Sequence, residues 1–163
     1  MPTEPSFRLA TESDAEAILE MMRDYYAFDG HAFDPPRARV ALLAFLREPS
    51  YGRGWLILDA EARVGYIVLT LGYSLEFLGR DAFIDEFYLR ESHRGRGWGK
   101  LALAFVENEA RTLNVRSIHL EVVRQNTGAK EVYRRSGYVD RDHYLMTRWI
   151  ERSFCKPGSD AHE

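Results

Sequence analysis

Apolar positions recur along this chain at spacings that mark out a run of short elements. Residues 7–10 form a brief strand pattern. Ala15, Ile18, Leu19, Met22, Tyr25 and Tyr26 then follow at helical spacing, and Ser13-x-x-Glu16 reads as a capping box that starts the helix. Asp29-Gly30 and Pro35-Pro36 break the pattern over 28–36, and a second helix is predicted over 36–47, ending before Pro49. Strand patterns at 55–59 and 63–71 make a hairpin around 60–62, and 72–80 turns the chain toward an apolar run at 82–89. Trp98, Leu101, Ala102, Phe105, Val106, Ala110 and Leu113 lie on one face of a helix predicted over 97–113. A buried-type strand at 117–123, a short helix at 127–136 and two last strands at 138–139 and 143–149 complete the order. Such an order describes a mixed α/β sheet with a strand–turn–helix unit at its centre.

Composition narrows the class. With 163 residues, 45% hydrophobic and 29% charged, the chain can bury a substantial core as one domain, 1–154, leaving 155–163 as a polar tail expected to fray. A net charge of −3 gives no general drive toward nucleic acid. No apolar run approaches the length of a membrane span and no leader pattern opens the chain, so the expectation is a cytoplasmic protein without membrane partners. The single cysteine, Cys155, offers no intrachain disulfide, and no cysteine or histidine spacing suggests a metal site. His119 alternates with apolar neighbours and reads first as a hydrogen-bonded structural histidine, with a base as the alternative.

The richest stretch is Arg94-Gly95-Arg96-Gly97-Trp98-Gly99-Lys100, between a strand and a helix. Alternate glycines permit a tight turn that presents consecutive N–H groups, and the helix beginning there adds the positive end of its dipole. The result is a phosphate cradle, flanked by Arg94, Arg96 and Lys100. Its spacing fails the P-loop, because three residues separate Gly95 from Gly99-Lys100 and Leu101 follows where a hydroxyl is needed. It also fails the dinucleotide fingerprint, because Gly97 and Gly99 are only two apart and lie past mid-chain.

The spacing Arg94-x-x-Gly97-x-Gly99 resembles the pyrophosphate-binding motif of the GNAT superfamily of acyl-CoA N-acetyltransferases. Asn126-x-x-Ala129-x-x-x-Tyr133-x-x-x-Gly137-Tyr138 resembles the downstream signature of that family, nearest its diamine acetyltransferase type. The resemblance implies a mostly antiparallel central sheet flanked by helices, with a strand pair that splays apart to admit acetyl-CoA as cosubstrate and no metal. It implies that the backbone of Phe87, Tyr88 and Leu89 pairs with the pantetheine arm, that Gly95, Arg96, Gly97, Trp98, Gly99 and Lys100 hold the diphosphate, and that Asn126 bonds the arm. Asn126 also suits a helix cap.

Acetyl transfer to an amine needs a neutral nucleophile, because an alkylamine with a pKa near ~10.4 is protonated at neutral pH. Tyr133 stands where the family carries its acid tyrosine, and a phenol near pKa ~10 has a proton to give a leaving thiolate. Asp85 and Glu86 are the base candidates, with a water-only route as a third option. Neighbouring strand residues point to opposite faces, so a regular strand offers only one of them to a cleft, and a bulge would exchange them. The loop carrying Tyr26, Asp29 and Asp34 is expected over the acceptor site, where aromatic and acidic groups suit a small cationic amine. Glu20, Asp24 and Glu76 are expected to add to its negative field. A protein N-terminus or lysine is the alternative acceptor, and a non-catalytic acyl-CoA sensor the alternative class. The apolar stretch 144–150 suits either the core or a homodimer interface.

Overall fold

In the computed structural model, which describes residues 4–150, five strands form one sheet in the order β1-β2-β3-β4-β5. They are β1 (Ser6–Leu9), β2 (Gly52–Asp59), β3 (Ala62–Ser74), β4 (Gly79–Leu89) and β5 (Ser117–Leu120). Neighbours are antiparallel from β1 to β4, and β5 runs parallel to β4. Helices α1 (Ala15–Phe28) and α2 (Pro35–Arg47) pack on one face through Ile18, Leu19, Met21 and Leu42. Helix α3 (Trp98–Thr112) covers the other face through Leu103, Val106 and Ala110, and α4 (Thr127–Arg135) follows β5. Covering both faces explains the unbroken apolar run Trp55, Leu56, Ile57 in β2. Trp55 and Ile57 face α3, Leu56 faces α1, and all three are buried.

The entry to α1 departs from the expected cap at Ser13. Thr11 is the cap instead, its N–H donating to Asp14 Oδ2 at 3.0 Å, and a 3₁₀ turn over Glu12–Asp14 leads into the helix. The cause is long-range. Asp14, 1% exposed, receives Arg8 Nη2 on Oδ1 at 2.8 Å and Arg8 Nη1 on Oδ2 at 3.0 Å, and Arg63 Nη2 lies 3.4 Å from Oδ1. A carboxylate fixed by two strands determines where the helix begins.

The two strands expected at 138–139 and 143–149 are absent, since residues 138–149 pair with nothing in the sheet. Arg134 holds Asp140, and Arg141 holds Glu76 at 2.6 Å while its guanidinium lies 4.9 Å from the centroid of the Phe77 ring. These contacts fasten the segment to the β3–β4 turn rather than to β5. The expected tail from 155 onward lies outside the described residues.

The Arg8 hydrogen bonds hold the Asp14 carboxyl well below its ordinary value, to about 2. Its contribution to stability is therefore complete above the unfolded-state carboxylate pKa and lost as pH falls toward 2. With both arginines half exposed, the contribution is about 1–2 kcal/mol. Urea titrations between pH 6 and pH 2 should show that loss, and Asp14→Asn should abolish this part of the pH dependence while lowering neutral-pH stability by roughly 2–4 kcal/mol.

Candidate active site

Pairing between β4 and β5 ends early. Asp81, Ala82, Phe83 and Ile84 face Ser117, Ile118, His119 and Leu120, and beyond Ile84 the β5 side of β4 has no strand beside it. At the place where the splay is implied, β5 ends, and Asp85 through Leu89 continue β4 beyond it.

One extra residue sits at its start. Val68 pairs with Glu86 but Leu69 pairs with Ile84, so Asp85 is bulged out of the ladder. Ala82 and Ile84 face α3, as does Phe87, whereas Glu86 and Tyr88 share the α1 face with Tyr66. In an unbroken strand Glu86 would have followed Ala82 and Ile84 into the apolar layer under α3, at a large desolvation cost. The bulge turns it toward α1 and leaves Asp85 exposed.

Glu86 is held from two elements. Tyr26 of α1 donates to Oε1 at 2.8 Å, and Tyr66 of β3 donates to Oε2 at 2.9 Å. Tyr66 ranks among the largest fully buried side chains, and burial followed by the nearby Glu86 charge pushes its pKa up, as it does that of Tyr26. Both phenols therefore stay protonated and act as donors at neutral pH. Tyr25 packs edge-on to Tyr26 at 5.7 Å, and burial, then the charges of Asp29 and Glu86, raise its pKa as well. Burial raises the pKa of Tyr133 of α4 first, and the charge of Asp29 raises it further. Tyr25, Tyr26 and Glu86 gather on the α1 side of β4, and Tyr133 packs against Tyr138 within the cluster under α3.

At the other end, Gly95 and Gly97 take the left-handed φ values of 72° and 82°, which residues with a Cβ rarely adopt. A Cβ built on either would meet no atom within 4 Å, so the turn is open to a ligand. Gly97 is the N-cap of α3 without a side-chain bond, leaving the first N–H groups of the helix for an outside acceptor. Arg96 and Lys100 are exposed beside them. Arg94 folds back, donating from Nε to the Leu89 carbonyl at 2.7 Å with its guanidinium 5.0 Å from the Phe28 ring centroid and 5.6 Å from that of Tyr88. Trp98 is buried against Ala102 and Leu89, so only its backbone is on offer. Gly99 has room too, with Val132 and Phe87 as its nearest neighbours.

Asn126 does cap α4, accepting from the Ala129 N–H at 3.1 Å. Asp34 caps α2, accepting from the Arg37 N–H at 3.2 Å, and pairs with the Arg37 side chain, a local duty that accounts for it. Glu20 and Asp24 pair with Arg90, and Glu76 with Arg141, so their charge is spent on neighbours rather than on the splay. Among the described residues no group of three or more His, Cys, Asp or Glu could hold a metal ion, and no helix is long and apolar enough to cross a membrane.

The residue that sequence reasoning missed is Tyr66. Its position in an alternating strand gave no hint, because the carboxylate that needs it lies 20 residues away and reaches it only through the bulge.

The family described as acetyltransferase (GNAT) matches residues 15–138, three-quarters of the chain. The chain belongs to the GNAT family of acetyltransferases. Among its relatives, the uncharacterized N-acetyltransferase YycN of Bacillus subtilis is 33% identical over 89 residues, 55% of this chain and 49% of that protein. A second, YdgE of the same organism, is 37% identical over 60 residues, 37% of this chain and 38% of that protein. The chain thus spans half or less of the length of these curated relatives. An integron cassette protein from the mobile metagenome of Cole Harbour Salt Marsh superposes with a TM-score of 0.80 at 34% identity, covering 89% of this chain and 90% of that one. A GNAT-like fold is also seen in a predicted acetyltransferase with acetyl-CoA from Clostridium acetobutylicum, with a TM-score of 0.76 at 17% identity over 88% and 96% of the two chains.

The clamp on Glu86 has a measurable energy. Tyr66→Phe should cost about 1–2 kcal/mol in urea denaturation, because a half-buried carboxylate oxygen loses its donor. In a double-mutant cycle with Glu86→Gln the two changes should couple by at least ~0.5 kcal/mol, and simple additivity would remove the clamp.

Proposed function

We propose that this protein moves an acetyl group from acetyl-CoA to the primary amine of a small cationic acceptor, by direct attack within a ternary complex. One observation carries the reading: beyond its last pair with β5, β4 leads from a carboxylate gripped by two phenols toward an open glycine turn. Family membership supports the reaction class, and the acetyl-CoA named with the Clostridium acetobutylicum structure supports the donor.

The N–H groups of the turn and of the first turn of α3 would take the diphosphate, with Arg96 and Lys100 supplying charge. Backbone groups of Phe87, Tyr88 and Leu89 on the splayed edge would pair with the pantetheine arm as a strand would, with Asn126 beside it. Acetyl-CoA, when bound, supplies a thioester carbonyl as the acyl source.

Glu86 receives the proton of the incoming ammonium, directly or through one water. A carboxylate oxygen can accept more than one hydrogen bond, so a bond from a tyrosine does not by itself exhaust it. The two phenols fix the carboxylate in place before an acceptor arrives, so little reorganisation is needed at reaction. Asp85, on the exposed bulge, adds negative potential toward solvent. As the new C–N bond forms and the C–S bond breaks, Tyr133 gives its proton to the departing sulfur, its raised pKa keeping it protonated until then. Asp29, Tyr25 and Tyr26 form an acidic, aromatic mouth that suits a cationic amine.

Two variants separate these roles. Tyr133→Phe and Glu86→Gln should each lower turnover by about 100-fold or more, measured as CoA-thiol release against a panel of amines and peptides, with acetyl-CoA affinity nearly unchanged by calorimetry. Unchanged turnover in either would remove that residue from the chemistry. Acetyl-CoA binding with no thiol release from any acceptor would favour a sensor. Gly97→Val should abolish acetyl-CoA binding in a variant that stays folded by circular dichroism, because its left-handed φ is lost to a β-branched residue. Retained tight binding would overturn the phosphate assignment.

A further inference from the structure

The glycine turn has little packing of its own to fix its shape. Residues 95–97 are exposed, and a Cβ built on Gly95 or Gly97 would touch nothing. Glycine gives up more backbone freedom on ordering than any other residue, so a loose turn of this kind would bind an anion weakly. Its shape has to be set where it is entered and where it is left.

One contact joins those two places. His93 stands just before the turn, as the last residue of a 3₁₀ turn over Glu91–His93, and Trp98 stands just after it, as the first residue of α3. Their rings pack with centroids 5.3 Å apart. Trp98 is buried among Ile57, Val64, Leu89 and Ala102, which makes it a fixed wall. His93 is held in turn from β2, whose last residue, Asp59, places Oδ2 3.2 Å from Nε2. On the other ring nitrogen, Nδ1 lies 2.9 Å from Ser92 Oγ. One neutral tautomer serves all three groups, with Ser92 donating to Nδ1 and Nε2–H donating to Asp59. The side chains of His93 and Asp59 are only 16% and 26% exposed, so water competes poorly for the bond. The Arg90 N–H, donating to the Val64 carbonyl at 2.8 Å, straps the same 3₁₀ turn to β3. Both ring nitrogens are engaged, which suits a brace and not a proton carrier.

We propose that His93, held by Asp59, is a positioning residue for the donor. It fixes the entry of the glycine turn against Trp98, so that the amides of the turn and of the first turn of α3 converge before acetyl-CoA arrives. The inference rests on the reading of that turn as the diphosphate cradle. A turn ordered in advance spares the ligand the loss of freedom that a slack one would subtract from its affinity. The effect is confined to donor binding, because the turn is ordered in either case once the donor is bound.

His93→Phe keeps a ring on Trp98 but loses the bond to Asp59, and Asp59→Ala loses it from the other side. By calorimetry each should weaken acetyl-CoA binding about 10-fold, and the double variant should be no weaker than either alone. Asp59→Asn, which still accepts from Nε2, should stay within about 3-fold of wild type. With any acceptor that releases thiol, the KM for acetyl-CoA should rise in step while kcat changes by less than about 2-fold. A histidine with a purely structural role would lower the melting temperature and leave the affinity of the folded protein alone. Wild-type affinity in either folded single variant, or a loss that falls on kcat, would overturn the proposal and leave the cradle standing. Acetyl-CoA that fails to bind the wild-type protein would overturn the cradle and this inference together. Either single variant decides the matter if the other fails to fold.

Discussion

A strand that runs on past the end of its parallel neighbour leaves backbone donors and acceptors along an edge that no strand pairs, and β4 continues for five residues beyond its last pair with β5. In this molecule the last pair is Ile84 with Leu120, and the arrangement of the site follows from that termination. That edge must find water or a ligand, because a buried unpaired amide costs about as much as a lost hydrogen bond. The sheet tolerates the opening because β4 is tied to β3 along its whole length and the faces are covered by α1 and α3.

The bulge at Asp85 comes just past the last β5 pair, and it decides which carboxylate meets the tyrosines. Two adjacent acids in a strand differ only by face, and an inserted residue reverses which face each one takes. Here the reversal rescues Glu86 from the apolar layer under α3 and delivers it to Tyr26 and Tyr66. The tyrosines are useful because they are buried: burial keeps the phenols neutral, and neutral phenols can only donate to a carboxylate. A packing decision in β4 thus becomes an electrostatic one at the site.

Local signals were legible in the sequence where local physics sets the outcome. The glycine spacing at 95, 97 and 99 pointed to a tight turn, in which Gly95 and Gly97 prove left-handed, and helical periodicity located all four helices to within a residue or two. Features fixed by distant partners were not legible. Ser13 looked like the cap of α1, but Asp14 answers to Arg8 and Arg63. Alternation at 138–149 looked like two strands, yet a strand needs a partner edge, and salt links to the β3–β4 turn hold the segment away from one. Tyr66 is the sharpest case, since an aromatic residue in a strand gives no sign of which acid will meet it.

Charge is distributed unevenly along the gap. The chain is net negative, yet Arg94, Arg96 and Lys100 gather at the turn, while Glu86, Asp85 and Asp29 gather at the mouth. From Glu86 to Leu89, where Arg94 ties the turn to the strand, is three residues, or about 10 Å of extended backbone. A ligand lying along this edge meets cationic groups and free amides at one end and carboxylates at the other. Under the proposed reading, that polarity orients the donor before specific contacts form, with phosphates toward the turn and thioester toward Glu86. It also excludes the reverse orientation, because phosphates beside Glu86 and Asp85 would face like charge in a partly desolvated cleft. Under that same reading the field would attract an ammonium acceptor to the mouth and repel an anionic one, so selectivity and geometry would share a physical cause.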